Sequence, residues 1–369
     1  MRKGWEYKRL DECANIEYGT RVVQKKDSGT LYPVYGGGGE TFRMDKFNRE
    51  DCLIVARFAM SRRCVRFVNG KFFLNDSGLS VKAGDKLYQS YLNYNIISLN
   101  DDIYHLGKGA AQRNLDVKSF KKLTIAIPPQ STQLAIVSEL DKINELIRLK
   151  KEQLKDFDNL AQSLFYEMFG DPVENEKGWE VKKLGEIGEF KNGLNFSKDE
   201  NGHSIKFLGV SDFQNKKSIA SDQLAYISLS ERVQEDYLLK TGDIVFVRSN
   251  GKKELIGRSV KMYITEPTTY SGFCIRCRIT DEKVDKDYIA ILLKTPIIRQ
   301  FMTNSGRGCN ISNLNQKVLN SIPTILPPLS LQRLFAQRIE QIEREKSEVQ
   351  KSIQDLETLL ASRMQYWFE

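Results

Sequence analysis

The sequence predicts a mixed α+β protein made by tandem duplication: two α/β globular domains, each followed by one long helix, with the two helices packed as an antiparallel coiled coil. Three observations predict it. The domain openings repeat: Lys3-Gly-Trp-Glu-Tyr-Lys-Arg-Leu-Asp-Glu-Cys-Ala-Asn-Ile-Glu-Tyr-Gly19 and Lys177-Gly-Trp-Glu-Val-Lys-Lys-Leu-Gly-Glu-Ile-Gly-Glu-Phe-Lys-Asn-Gly193 are identical at eight of seventeen positions, where average residue usage gives roughly one by chance. The domain ends repeat as well, Gly107–Asp116 aligning with Gly306–Asn315 and Ile127-Pro-Pro-Gln-Ser-Thr-Gln133 with Leu326-Pro-Pro-Leu-Ser-Leu-Gln332. After each Pro-Pro pair, apolar residues step by four and three over more than four heptads, the pattern of a coiled-coil seam.

The expected segments are a globular domain over 1–127, a long helix over 128–172, a second globular domain over 173–326 and a second long helix over 327–369. The offset between the halves grows from 174 at their openings to 199 at their ends, so the second domain carries 25 additional residues. Surface loops absorb such growth most readily. Short β-type runs mark both domains at 52–56, 65–68, 243–247 and 272–279, separated by turn signals at Asn69-Gly70, Asn192-Gly193 and Asn250-Gly251. One helix per domain is expected, near Gln89–Ile97 and Asp287–Asn304. No regular strand–helix alternation marks a doubly wound sheet.

In the first long helix the seam is Ile136, Leu140, Ile143, Ile147, Lys150, Leu154, Phe157, Ala161, Leu164 and Met168. In the second it is Phe335, Ile339, Ile342, Lys346, Val349, Ile353, Leu356, Leu360, Arg363 and Trp367. Neither segment contains an internal Gly or Pro, and about 38 helical residues run for about 57 Å. A single amphipathic helix lying on its own domain is the alternative, but surface helices usually stop near about 20 residues. Pairing the two helices buries both seams, and the tandem order makes them antiparallel. The polar seam residues Lys150, Lys346 and Arg363 occupy non-equivalent positions, which suits a role in register or in partner contact. Lys346→Ile is then expected to raise thermal stability while loosening assembly.

Composition narrows the function. The 369 residues carry a net charge of +8, which permits nucleic-acid binding without requiring it. No apolar run is long enough to span a bilayer, and the charged opening lacks the apolar stretch of a secretory signal, so a cytoplasmic protein without membrane contact is expected. Four of the six cysteines stand alone. Cys274 and Cys277 form one C-x-x-C with no second pair for a zinc site, so no metal is expected. No catalytic residue is assigned. Gly36–Gly39 lacks the Gly-Lys-Ser/Thr ending of a phosphate loop, and no Gly-x-Gly-x-x-Gly follows a strand. Two histidines, His105 and His203, do not favour a His-based triad. Glu6-Tyr-Lys8 and Glu180-Val-Lys182 imitate a nuclease Glu-x-Lys, but both belong to the repeated opening.

What remains is a set of basic, glycine-framed loops. The candidate DNA-binding residues of the first half are Lys25, Lys26, Tyr35, Gly37, Gly38, Arg43, Arg57, Arg62, Arg63, Lys108, Gln112, Arg113 and Asn114. Those of the second are Lys191, Asn192, Asn195, Lys216, Lys217, Arg248, Asn250, Lys252, Lys253, Arg307, Asn310 and Asn313. Arg and Lys bind phosphate or guanine, Asn and Gln pair with adenine, and glycine lets a backbone approach phosphate closely. The same loops read otherwise as solvated surface, or as the protein-binding loops of a coiled-coil assembly scaffold. Arg57 and Arg248 also have a structural reading, buried against a carboxylate.

Together these pieces resemble the specificity subunit of type I restriction-modification systems over essentially the whole chain. The resemblance rests on the Trp-x-x-x-x-Leu-x-Glu openings at Trp5 and Trp179 and on Pro33-Val-Tyr-Gly-Gly-Gly-Gly39. It rests equally on the strands ending in Arg57 and Arg248, the Gly-rich segments at Gly107 and Gly306, and the Pro-Pro…Gln helix openings at Pro128 and Pro327. It implies two target-recognition domains that each read half of a bipartite, asymmetric site in double-stranded DNA. Two methyltransferase subunits using S-adenosylmethionine would bind around the chain, with ATP and magnesium used only if nuclease-translocase (restriction) subunits join them. The chain itself would carry no cofactor and no catalysis. Family helix openings often read Pro-Pro-x-x-Glu-Gln, whereas Thr132 and Leu331 stand before Gln133 and Gln332 here. The long helices would act as a ruler matched to DNA turns of about 34–36 Å.

Overall fold

The computed structural model describes residues 2–109, 112–196, 198–214, 218–251, 253–304 and 313–368, with backbone only for 198–201, 253, 303 and 304. Its contacts divide the chain into two compact units, one formed by Met1–Glu152 with Val349–Glu369 and the other by Gln153–Glu348. Each unit holds one globular domain and a stretch of both long helices.

The first unit is built on a six-stranded sheet in the order Ala14–Tyr18, Gly78–Ala83, Arg49–Ala56, Val65–Leu74, Tyr32–Gly36 and Gly39–Met44. All neighbours are antiparallel except Val65–Leu74 with Tyr32–Gly36. The second half of Arg49–Ala56 is a continuous apolar run and is buried throughout, as a strand enclosed by neighbours and a helix layer must be. Tyr91, Leu92 and Ile96 of the helix Gln89–Ser98 pack with Leu53, Val55, Leu79 and Val81 in the core. Asn69-Gly70 is not a turn between strands, as its sequence suggests. It lies inside Val65–Leu74, opposite a register shift at Glu50/Cys52. Gly70 takes φ +73 and Asp51 φ +42, and the Gly70 amide donates to the Asp51 carboxylate at 2.7 Å. The Asn-Gly pair makes a β-bulge, because a positive-φ glycine accommodates an extra residue as readily as a hairpin.

The second unit has a five-stranded sheet ordered Gly188–Asn192, Cys274–Ile279, Ile244–Val247, Ser259–Tyr263 and Ser218–Ala220. A three-stranded sheet joins Tyr226–Leu229, Lys198–Leu208 and Thr268–Tyr270. The single helix expected over 287–304 is two, Lys286–Leu292 and Pro296–Asn304. Proline disfavours helix in the residue before it yet suits the first position of a new helix. Asp285 caps the earlier one, accepting from the amides of Asp287 and Tyr288.

The two long helices, Gln130–Phe169 and Leu329–Phe368, have 40 residues each, about 60 Å at 1.5 Å per residue. Within the first unit Ile136, Leu140, Ile143, Ile147, Val349 and Ile353 are buried. Glu139 accepts from Arg363 and, at 3.0 Å, from Trp367, and Lys151 meets Glu357 at 2.8 Å. Within the second unit Ile339 and Ile342 are buried and Lys346 pairs with Asp158. Early residues of one helix meet late residues of the other in both units, which makes the pair antiparallel. Leu154, Phe157, Leu164, Leu356, Leu360 and Trp367 are half-buried. At both helix ends the buried face moves one position past the heptad stripe. Phe165 and Phe169 enter the core of the second unit, and Met364 and Phe368 pack on that of the first. The ends dock on globular cores, so they follow the straight-helix period of 3.6 rather than the coiled-coil 3.5.

Candidate nucleic-acid interface

Each domain has a joint with its helix, and the first domain presents a cleft at the end of its central strand. The joint is made by the repeated motifs. Glu6–Arg9 pairs antiparallel with Thr124–Ile127, as Glu180–Lys183 does with Pro323–Leu326. Gln133 is fully buried. Its carbonyl accepts from Tyr88 N–H, and its amide donates to the carbonyls of Lys86 and Pro128, all at 2.9 Å. Gln332 accepts from Asp285 N–H at 2.9 Å and donates to the carbonyls of Lys283 at 3.4 Å and Pro327 at 2.7 Å. Tyr91 and Tyr288 donate to the carbonyls of Ala126 and Ile325 at 2.9 and 3.0 Å.

The cleft of the first unit forms where the central strand ends at Arg57. The Leu115 amide donates to the Arg57 carbonyl at 2.8 Å, Met60 N–H to Arg113 at 3.0 Å, and Ala59 N–H to the Asn114 side chain at 3.3 Å. Ala59 takes φ +48. The glycine run supports this turn: a Cβ on Gly37 would lie 2.0 Å from the Phe58 carbonyl oxygen, so Gly37 is required by close packing. The resulting groove, about 810 Å³, is lined by Tyr18, Arg57, Lys108, Asn114, Lys118 and Lys121, among others. Among the described residues no carboxylate pairs with Arg57, so the carboxylate-buried reading is not what the structure shows. Its guanidinium lies 5.1 Å from the Tyr18 ring centre and 4.4 Å from that of Phe58, and its Nη1 donates to the Asp76 carbonyl at 3.2 Å. Lys108 meets Asp116 at 2.6 Å, and that hydrogen bond, aided by those from Ser119, pushes the Asp116 carboxyl down to about 2.

The second unit repeats the backbone of this cleft with other side chains. The Leu314 amide donates to the Arg248 carbonyl at 2.8 Å, while Arg248 Nε donates to the Asn313 side chain at 3.3 Å. Asn192 stands where the repeat places Tyr18, and Gln316 donates to it at 3.1 Å. Lys191 lies over the Tyr237 ring at 4.1 Å and pairs with Asp236 at 3.0 Å, holding the Asp236 carboxyl below its ordinary value.

The sequence-predicted residues divide accordingly. Arg57, Lys108 and Asn114 line the first groove. Lys25, Lys26, Arg62 and Arg63 are exposed elsewhere, and Arg43 donates to the carbonyls of Thr30 and Leu31. Tyr35 packs edge-on against Phe72 at 5.5 Å, and Arg113 lies over Tyr104 at 4.7 Å. Gly38 and Gln112 are exposed, Asn250 is half-buried and Asn195 is exposed beside Gly272. Lys216, Lys217, Lys252, Arg307 and Asn310 lie outside the described residues, as does the side chain of Lys253. Sequence reasoning missed Tyr18, Phe58, Lys118 and Lys121. Tyr18 ends a strand two places from that of Arg57, about 10 Å across the sheet, and only the strand order brings them together.

Among the described residues no group of three or more His, Cys, Asp or Glu is placed to hold a metal ion, and no helix is long and apolar enough to cross a membrane. Burial pushes the thiols of Cys274 and Cys277 up to about 12, so both are protonated near neutrality and serve as core residues.

Comparison with known proteins supports the likeness of the halves. The type I restriction modification DNA specificity domain matches twice, over residues 2–156 and 176–358. The specificity subunit of the type I restriction enzyme StySPI of Salmonella potsdam is 24% identical over 279 residues, 71% of this chain and 60% of that protein. That of MjaVIII of Methanocaldococcus jannaschii is 24% identical over 322 residues, 79% of this chain and 75% of that protein. The chain thus spans less than two thirds of the StySPI subunit. Among solved structures, the S subunit from M. genitalium aligns with TM-score 0.56 at 18% identity, covering 98% of this chain and 95% of that one. A chain from a structure of type I R-M complex assembly and conformational transition aligns with TM-score 0.63 at 16% identity, covering 100% and 98%.

Proposed function

The chain belongs to the type I restriction modification DNA specificity family, and from that premise we propose that it is the sequence-reading subunit of such a system. Each globular domain reads one half of a bipartite, asymmetric site in double-stranded DNA, and the chain supplies recognition without catalysis. The observation that carries this reading is the recurrence of one backbone arrangement in both units. A central strand is followed by an arginine, Arg57 or Arg248, whose carbonyl is held by the residue after a glycine-framed segment. The surrounding side chains differ between the copies, which suits two different half-sites.

In this reading two methyltransferase subunits, which bring S-adenosylmethionine, bind around the chain in the cytoplasm, and nuclease-translocase subunits bring ATP and magnesium. Phosphate contacts supply most of the affinity and make it steeply salt-dependent. Base contacts supply about 1–3 kcal/mol of discrimination per good pair. The paired helices act as a ruler. Four residues added to each at matching positions, about 6 Å, lengthen the accepted spacer; an unchanged spacer overturns the ruler.

Footprinting of the chain assembled with its methyltransferase partner tests the function. Protection of one bipartite sequence is expected. Absence of sequence-specific protection overturns the reading and leaves an assembly scaffold.

A further inference from the structure

Resting on that DNA-reading function, we infer that the Tyr18–Arg57–Phe58 cluster is a guanine-reading site and that Arg57 determines one G·C pair of the half-site read by the first domain. Three observations point there. The guanidinium lies against two aromatic rings that remain 47% and 36% exposed, so Arg57 is held in place at the surface rather than consumed by a core. Nη1 is tied to the Asp76 carbonyl, and among the described residues no carboxylate neutralises the group. Arg57 and Tyr18 line the same open groove as Lys108, Lys118 and Lys121.

The ligand chemistry follows from what these groups can do. A guanidinium held beside two rings and tied to a carbonyl is positioned before binding and loses little freedom on it. Its fork of N–H donors fits two targets, a phosphate or the O6/N7 edge of guanine in the major groove. The groove also holds Lys118 and Lys121, with Lys108 paired to Asp116; lysines serve phosphate well as point charges and need no fixed orientation. A fork restrained by two ring contacts and a carbonyl bond adds little to a charge contact, whereas a pair of directed bonds to a base edge requires such restraint. The turn at Phe58–Ala59 keeps the cluster together: Ala59 holds a positive φ, and Gly37 leaves no room for a side chain against the Phe58 carbonyl. Among the described residues no aromatic pair matches at Arg248, whose Nε is engaged by Asn313, so the assignment concerns the first half-site alone.

The test uses the chain assembled with its methyltransferase partner and DNA duplexes selected for binding. The native complex should require guanine at one position of one half-site. Replacing that base by 7-deazaguanine, which lacks only the N7 acceptor, should weaken binding roughly 10-fold. Arg57→Ala should weaken binding to the selected duplex roughly 10- to 100-fold, make that position indifferent to base and to 7-deazaguanine, and leave the other half-site unchanged. Arg57→Lys, which keeps the charge without the fork, should restore less than half of the lost discrimination. A phosphate contact would instead weaken all sequences alike, reduce the salt slope by about 1 and be rescued by Arg57→Lys; that result overturns the proposal. Native binding insensitive to 7-deazaguanine at every guanine of the half-site also overturns it, without relying on a variant that folds. A native complex with no sequence preference at all would overturn the DNA-reading function itself.

Discussion

Gln133 closes the joint of the first domain with three hydrogen bonds, and Gln332 closes that of the second with the same three, one accepted and two donated. At the cleft the two domains part company. Tyr18 and Phe58 lie beside Arg57 in one, while in the other Arg248 donates to Asn313, and Asn192, at the repeat position of Tyr18, accepts from Gln316. The backbone frame is shared; the side chains are not. The difference has a physical origin. A buried joint must satisfy every polar group it encloses, so any change there exposes a penalty. A solvated cleft satisfies its polar groups with water and is free to vary without that penalty.

That contrast can be broken at the joint first, where the effect should be largest. Gln133→Leu removes three bonds and strands the Tyr88 amide and two carbonyls, so it should cost about 3–5 kcal/mol in urea denaturation. Gln332→Leu should cost a similar amount. A loss under about 1 kcal/mol at either would show that the joint is not what fastens the helix. Next comes Arg248→Ala, which should relax the half-site read by the second domain by about 1–3 kcal/mol and leave the first intact, the mirror of Arg57→Ala. Loss at both half-sites in a binding selection would argue for a structural role. Tyr18→Asn imports into the first cleft the residue that the second domain has at the repeat position, Asn192. It should lower the discrimination attributed to Arg57 by about 0.5–1 kcal/mol with melting temperature unchanged.

The smallest effect concerns pH and lies on the helix pair. Hydrogen bonds from Arg363, then Trp367, hold the Glu139 carboxyl below its ordinary 4.5. Because the folded value is the lower one, the stabilisation is complete above about 4.5 and is lost as pH falls from there through the folded value. Thermal melting of the native chain should therefore drop below pH 4.5 more steeply than that of Glu139→Gln, and parallel curves would remove Glu139 from the acid response.

Much of the joint is readable in the sequence because its residues act locally and recur. The Trp-x-x-x-x-Leu-x-Glu opening places Leu10 and Leu184 in the cores and lets Glu12 accept from Arg9 N–H at 3.2 Å. The helix pair is readable because heptads report burial along one face. The ends of those helices are not, since Phe165 and Phe169 answer to a globular core instead of a partner helix. The cleft is the least readable part. Glycine-framed basic loops lead to Arg57, Lys108 and Asn114, yet Tyr18 belongs to a repeated opening with no loop signature, and Lys118 and Lys121 sit on or at the end of a short helix after the Gly-rich segment. Their meeting depends on strand order, which no local pattern encodes.

The division of the chain also sets an order of assembly. The second unit is one uninterrupted stretch, Gln153–Glu348, whereas the first needs Val349–Glu369 to be complete. On a ribosome the domain made first is therefore finished last. Until Leu360, Met364, Trp367 and Phe368 arrive, the core around Tyr91 and Ile136 lacks the residues that cover it, and apolar surface stays open to water or to chaperones. Cleavage within Val349–Phe368 would leave the second unit uninterrupted and the core of the first uncovered.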